Sequence, residues 1–123
     1  MPNQKRIFIL DDEEEILELL EQILGNQYIV FTKSNTLGLE QDLLAFKPHV
    51  IMIDHFMGDK TSKDILTQAL GLLDNVPVIL HSAHEEIEKL SMETKVAAYI
   101  RKPSGIKEIR ARVASVLEHC QPA

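Results

Sequence analysis

The sequence predicts an α/β protein, a parallel β-sheet with helices on both faces. Short apolar runs alternate with segments of helical periodicity, five times in strict order. The runs are apolar at consecutive positions, as in strands buried on both faces. A chain of 123 residues that is 45% apolar supplies one core and little room for another, so a single domain is expected.

Ile7-Phe8-Ile9-Leu10 is the first buried strand. Asp11-Asp12-Glu13-Glu14-Glu15 follows, and Ile16, Leu17, Leu20, Ile23 and Leu24 recur at helical spacing. The acids suit the positive end of that helix, and Gly25 ends it. Residues 28–32 form the next strand and 34–46 a helix that Lys47-Pro48 breaks. Val50-Ile51-Met52-Ile53 is the third run, ending in Asp54. A loop around 57–60 leads into a helix carrying Ile65, Leu66, Ala69, Leu70 and Leu73. The fourth strand covers 76–80 and the fifth 97–100, separated by a weakly amphipathic helix over 84–94. Ile106, Ile109, Val113, Val116, Leu117 and Cys120 make the stripe of the last helix. Right-handed crossovers then favour the flavodoxin-like, doubly wound (βα)5 arrangement with strand order 2-1-3-4-5.

Charge narrows the function. Nineteen acids against 13 Lys and Arg give a net charge of -6, which argues against nucleic-acid and anionic-membrane partners. No apolar run approaches the roughly 20 residues of a membrane span. The single cysteine fits a reducing compartment, so a cytoplasmic location is expected.

In a doubly wound sheet the site lies beyond the carboxyl ends of the strands. Those ends carry Asp11-Asp12, Asp54, Ser82 and Lys102-Pro103. Singly, each is an ordinary helix cap or turn. Together, three acids, a hydroxyl and a lysine are too many charges on one edge for capping. Two carboxylates about 4 Å apart repel by about 4 kcal/mol at an effective dielectric of about 20, so the set calls for a cation. Oxygen ligands that leave places for water and phosphate suit Mg2+. Magnesium, a lysine and a hydroxyl around one exposed carboxylate are built to receive a phosphoryl group.

The motifs Ile-Leu-Asp-Asp-Glu (9–13), Ile-Met-Ile-Asp (51–54), Leu-His-Ser-Ala (80–83) and Tyr-Ile-Arg-Lys-Pro (99–103) resemble those of response-regulator receiver domains of two-component signalling. The resemblance runs from Lys5 to about His119, so the whole chain reads as one receiver domain with no effector domain. It implies that Asp54 is the phosphoacceptor and that Asp12 and Asp54 ligate Mg2+ directly. Asp11 then acts mainly through water, with the main-chain carbonyl of Phe56 completing the protein ligands. Lys102 pairs with the phosphoryl group, Ser82 hydrogen-bonds to it, and Tyr99 is the switch aromatic. A cis Lys102-Pro103 bond aims the lysine inward. Phe56 and His84 occupy positions that tune phosphoryl lifetime. Phe56 cannot hydrogen-bond an attacking water, which implies a longer-lived phosphoryl group than an amide there would give. His84 either positions water or senses pH, or is simply an exposed helix-start residue.

The implied function is a phosphoacceptor protein, phosphorylated by a histidine kinase or histidine phosphotransfer protein. It catalyses part of its own phosphorylation and slow dephosphorylation, and is not an enzyme acting on a metabolite. The resemblance also implies a monomer or a weak phosphorylation-dependent dimer, passing its signal on through the face of helix 4, strand 5 and helix 5. Arg101, Lys95, Arg110 and Arg112 suggest a basic patch there for an acidic partner. The stretch 55–63 departs from the family, with Gly58 in place of a proline and no Asp-Gly pair. A more mobile loop is expected there, and it motivates the alternative of a phosphorylation-independent interaction module. A dehalogenase-type phosphatase is disfavoured because Phe56 stands where its second aspartate belongs. The remaining histidines lack metal-ligand spacing; His49 and His119 read as surface residues, and His81 as a tolerated polar side chain.

Overall fold

The computed structural model describes residues 4–57, 60–69, 76–94 and 96–119. Five parallel strands, β1 (Arg6–Leu10), β2 (Ile29–Lys33), β3 (Val50–Ile53), β6 (Val78–Ser82) and β7 (Ala98–Arg101), form one sheet in the order β2-β1-β3-β6-β7. Numbered among themselves, that order is the expected 2-1-3-4-5. A short antiparallel hairpin, β4 (Phe56–Met57) and β5 (Lys60–Thr61), stands apart, pairing Phe56 with Thr61 and Met57 with Lys60. The segment read as plain loop is thus partly ordered by its own pairing. Gly58 and Asp59, where mobility was expected, lie outside the described residues.

Helices α1 (Glu14–Leu24), α2 (Leu39–Phe46), α3 (Ser62–Ala69), α4 (Ile87–Thr94) and α5 (Ile106–His119) fill the two outer layers. The side-chain alternation of the strands splits the core in two. Ile7, Ile9, Met52, Ile79 and Ile100 meet Leu20 and Ile23 of α1 and Ile109 and Val113 of α5. On the other face Phe8, Leu10, Ile51, Ile53 and Leu80 meet Leu43, Ile65, Leu66 and Ile87. Phe8, Phe31 and Phe46 close that layer at the β2 side, with Phe8 and Phe31 stacked at 5.0 Å.

Several boundaries differ from the sequence reading, each for a local reason. Helix α2 starts at Leu39 rather than Ser34, because Asn35 turns the chain onto the Leu37 N–H (3.0 Å) and Gly38 is left-handed (φ 65°). Strand β6 starts at Val78 and runs on through His81 and Ser82, which pair with Ile100 and Arg101. Helix α4 starts three residues later than expected, at Ile87. Helix α3 starts where Thr61 and Asp64 form a reciprocal cap: Thr61 N–H donates to Asp64 Oδ2 (3.2 Å) and Asp64 N–H to Thr61 Oγ1 (3.4 Å). Leu70, Leu73 and Cys120 lie outside the described residues. Among the described residues no helix is long and apolar enough to cross a membrane.

His49 is no free surface residue. Its Nδ1 accepts the Arg6 N–H at 2.9 Å, and its own N–H donates to the Arg6 carbonyl at 2.8 Å. The Arg6 side chain turns the other way, with Nε donating to the Phe46 and Lys47 carbonyls at the end of α2, both at 2.9 Å. That junction closes the amino-terminal edge of the sheet.

Candidate functional site

The carboxyl ends of the strands meet at a cleft of about 340 Å³ lined by Asp12, Glu13, Asp54, Ser82, Ala83, His84 and Lys102. Each strand-end residue is held by the ladder beneath it. Asp11 N–H donates to the Lys33 carbonyl (3.1 Å), Asp54 N–H to the Leu10 carbonyl (3.0 Å), and Lys102 N–H to the Ser82 carbonyl (2.9 Å). Three strands therefore deliver Asp11, Asp54 and Lys102 to one point. The Lys102-Pro103 bond is cis, as expected.

Lys102 is the hub. Its Nζ donates to Asp11 Oδ2 at 2.8 Å and to Asp54 Oδ2 at 3.4 Å, and lies 3.5 Å from Glu13 Oε1. Asp11 is 1% exposed and uses both oxygens, since Oδ1 accepts the Glu13 N–H at 2.9 Å. Asp54 is 8% exposed, and its Oδ1 accepts the His55 N–H at 2.7 Å. Asp12 and Glu13 are exposed on the rim.

Four carboxylates share this space with one ammonium, and one oxygen from each of Asp11, Asp12, Glu13 and Asp54 lies within 4.8 Å of the others. At that separation each pair repels by about 3.5 kcal/mol at an effective dielectric of about 20. Burial pushes the Asp54 carboxyl up, and the Asp11 charge adds to it, against the pull of Lys102 and the His55 N–H. Burial works against the Lys102 charge too, but its hydrogen bond to Asp11 and the charges of Asp54 and Asp11 win, and its pKa is raised.

The residues fit a divalent hard cation. All donors are carboxylate oxygens, they are already gathered, and internal charge does not balance them. Asp11 has its oxygens engaged by Lys102 and the Glu13 N–H, whereas Asp12 stands exposed on the rim. The Phe56 backbone leads into β4.

The structure brings together Asp11, Asp12, Asp54, Ser82, His84 and Lys102. Tyr99 is elsewhere: it pairs with Leu80 on β7 and packs, partly buried, on the α4 side with Leu80 and Ile87. His84 is neither exposed nor inside a helix. It is half-buried in the cleft wall three residues before α4, and its Nδ1 accepts the Glu86 N–H at 3.1 Å. Its main-chain N–H donates to Ser82 Oγ at 3.2 Å.

Two histidines matter more than their sequence positions suggested. His55, buried beside Asp54, meets the His84 ring edge-on at 5.2 Å. Burial lowers its pKa, and the nearby His84 lowers it further. The strand-end position after Asp54 was the available signal. His81 is 4% exposed, and its Nδ1 has no hydrogen-bond partner among the described residues. Burial lowers its pKa to about 4, with the Lys102 charge contributing.

Of the residues expected to form a basic patch, two make hydrogen bonds to backbone carbonyls. Arg110 Nε donates to the Ile23 carbonyl at 3.2 Å, which places it on the α1 side of α5. Arg112, two residues on, lies about 200° around the helix. Arg101 donates to backbone carbonyls of the β6–α4 turn. Lys95 lies outside the described residues.

The fold is a doubly wound sheet with acids and a lysine gathered at its carboxyl edge. The response regulator receiver domain family matches residues 7–114, and the chain belongs to that family. It is 35% identical over 126 residues to the probable transcriptional regulator ycf27 of Pyropia yezoensis, covering 95% of this chain and 49% of that protein. It is 29% identical over 122 residues to the alkaline phosphatase synthesis transcriptional regulatory protein PhoP of Bacillus subtilis, covering 97% and 51%. The chain thus spans about half the length of these curated relatives. A CheY-like receiver domain from Methanospirillum hungatei shares the fold, with a TM-score of 0.85 at 23% identity over 94% of this chain and 95% of that one. The chain is therefore a receiver domain of the two-component response-regulator class.

Proposed function

We propose that this receiver domain accepts a phosphoryl group on Asp54 from a phosphohistidine of a histidine kinase or phosphotransfer protein, and switches protein contacts in response. The observation that carries the reading is the convergence on Lys102. One ammonium spans Asp11 at 2.8 Å and Asp54 at 3.4 Å in a cleft open to solvent.

An Asp54 oxygen attacks phosphorus in line while the phosphorus–nitrogen bond of the donor breaks, and the imidazole leaves neutral after taking a proton. Positioning and charge neutralisation do most of this work. Asp12 and Asp54, with Asp11 behind them, would hold Mg2+, which would supply positive charge for the phosphoryl oxygens. Lys102 moves from Asp54 Oδ2 to a phosphoryl oxygen, keeping its bond to Asp11. Ser82 donates its hydroxyl proton to another phosphoryl oxygen, and Tyr99 follows that movement on the α4 side. Water attacking phosphorus later releases inorganic phosphate and restores the carboxylate. The output surface is the face of α4, β7 and α5.

Labelling with a small acyl phosphate tests this. Wild type should gain one phosphoryl group only with Mg2+ present, and Asp54→Ala should gain none. Labelling that survives Asp54→Ala would overturn the assignment.

A further inference from the structure

Arg101 is the ladder partner of Ser82, on the edge strand of the sheet. Its guanidinium reaches across to the turn that follows Ser82, where Nη1 donates to the carbonyls of His84 and Glu85, both at 3.3 Å. The same turn supplies the Ala83–His84 wall of the cleft. The His84 carbonyl also accepts the Ile87 N–H at 3.2 Å, the first bond leading into α4. A cation at a helix N-terminus works against the helix dipole, and an acid is the ordinary choice there. The two carbonyl bonds give Arg101 a specific reason to be in that place.

We propose that Arg101 is a positioning residue that clamps the cleft wall from outside and presets it for the phosphoryl group. It touches no reacting atom. It acts through the carbonyls of His84 and Glu85, and so through the Ser82 Oγ that accepts the His84 N–H. A preset wall needs no further ordering when the anion arrives, so the clamp favours binding of the phosphoryl group and leaves the metal alone. The carboxylates are supplied by other segments, Asp11, Asp12 and Glu13 between β1 and α1 and Asp54 just after β3. The inference rests on the phosphoacceptor reading of the cleft, and the experiment separates the two.

Arg101→Met keeps the stem and removes the donor; Arg101→Lys keeps a cationic donor. Two measurements are made on wild type and both variants. Amide exchange of His84 and Ile87 should quicken about fivefold in Arg101→Met, the weight of one exposed hydrogen bond, and recover in Arg101→Lys. Affinity for beryllium fluoride in saturating Mg2+ should fall about fivefold in Arg101→Met, with Mg2+ affinity unchanged. Unchanged exchange overturns the clamp whatever the cleft binds. Wild-type binding of beryllium fluoride that is equal or tighter in Arg101→Met overturns the presetting. A wild type that binds no beryllium fluoride sinks the phosphoacceptor reading and the presetting with it, while exchange still judges the clamp.

Discussion

The two edges of the sheet solve opposite problems. At the amino-terminal edge Arg6 and His49 exchange backbone and ring hydrogen bonds at 2.8 and 2.9 Å, and the Arg6 side chain serves the end of α2. These donors and acceptors are met from within the chain. At the carboxyl edge four carboxylates face one lysine. Asp54 is pushed up by burial, and the buried His81 Nδ1 has no partner among the described residues. The first edge is closed by its own residues. The second is compensated fully only from outside, which is what a receptive site requires and a structural one does not.

Removing the lysine should break the comparison most severely. Lys102→Met leaves the acids with no internal cation, and should cost about 3 kcal/mol of unfolding free energy in metal-free urea titrations near pH 7. Millimolar Mg2+ should return much of that loss in the variant. A loss that Mg2+ does not reduce would mean the acids are not the cause.

His81 sharpens the same contrast through pH. Its folded pKa of about 4 lies below the ordinary 6.5, so the unfolded chain binds the proton first. Its contribution to stability is present above pH 6.5 and is lost as pH falls towards 4. By pH 5 the loss should reach about 2 kcal/mol. His81→Val should flatten that slope without lowering stability at pH 7.5. A slope equally steep in the variant would place the acid sensitivity elsewhere.

Much of this contrast was legible in the sequence, because topology alone sends the residues after buried runs to one edge. Asp11, Asp12, Asp54, Ser82 and Lys102 needed no side-chain geometry to be brought together. Boundaries were less legible where polar residues continue a strand: the apolar run stops at Leu80, but His81 and Ser82 are held in β6 by pairing with β7. Proline misled at the other end of β6: Pro77 has no N–H to give, and its carbonyl accepts the Ile51 N–H before the strand begins at Val78. Arg101 and Arg110 were illegible because their partners are backbone carbonyls, which carry no sequence signal. Reading them by charge alone predicted a docking patch where the structure has hydrogen bonds to backbone carbonyls.

Neutralising the acceptor tests the claim of an uncompensated edge with a smaller effect. The Asp54 carboxyl is raised in the folded state, so its contribution to stability is full below its unfolded value and is lost as pH rises through the folded one. Near neutral pH the charge is a cost. Asp54→Asn should raise metal-free stability by about 1 kcal/mol, and that gain should shrink when Mg2+ is added to both proteins.

The amino-terminal edge should respond least, and with different logic. Burial lowers the His49 pKa, and the charges of Arg6 and Lys5 lower it further. Its contribution is therefore present above pH 6.5 and is lost on acidification. His49→Ala should cost about 0.5–1 kcal/mol at pH 7.5, the net worth of one partly exposed hydrogen bond. No magnesium response should accompany it, since no carboxylate of the cleft lies at that edge. An Mg2+-dependent change in His49→Ala would show that the edges are coupled, and the separation of a closed end from a receptive one would fail.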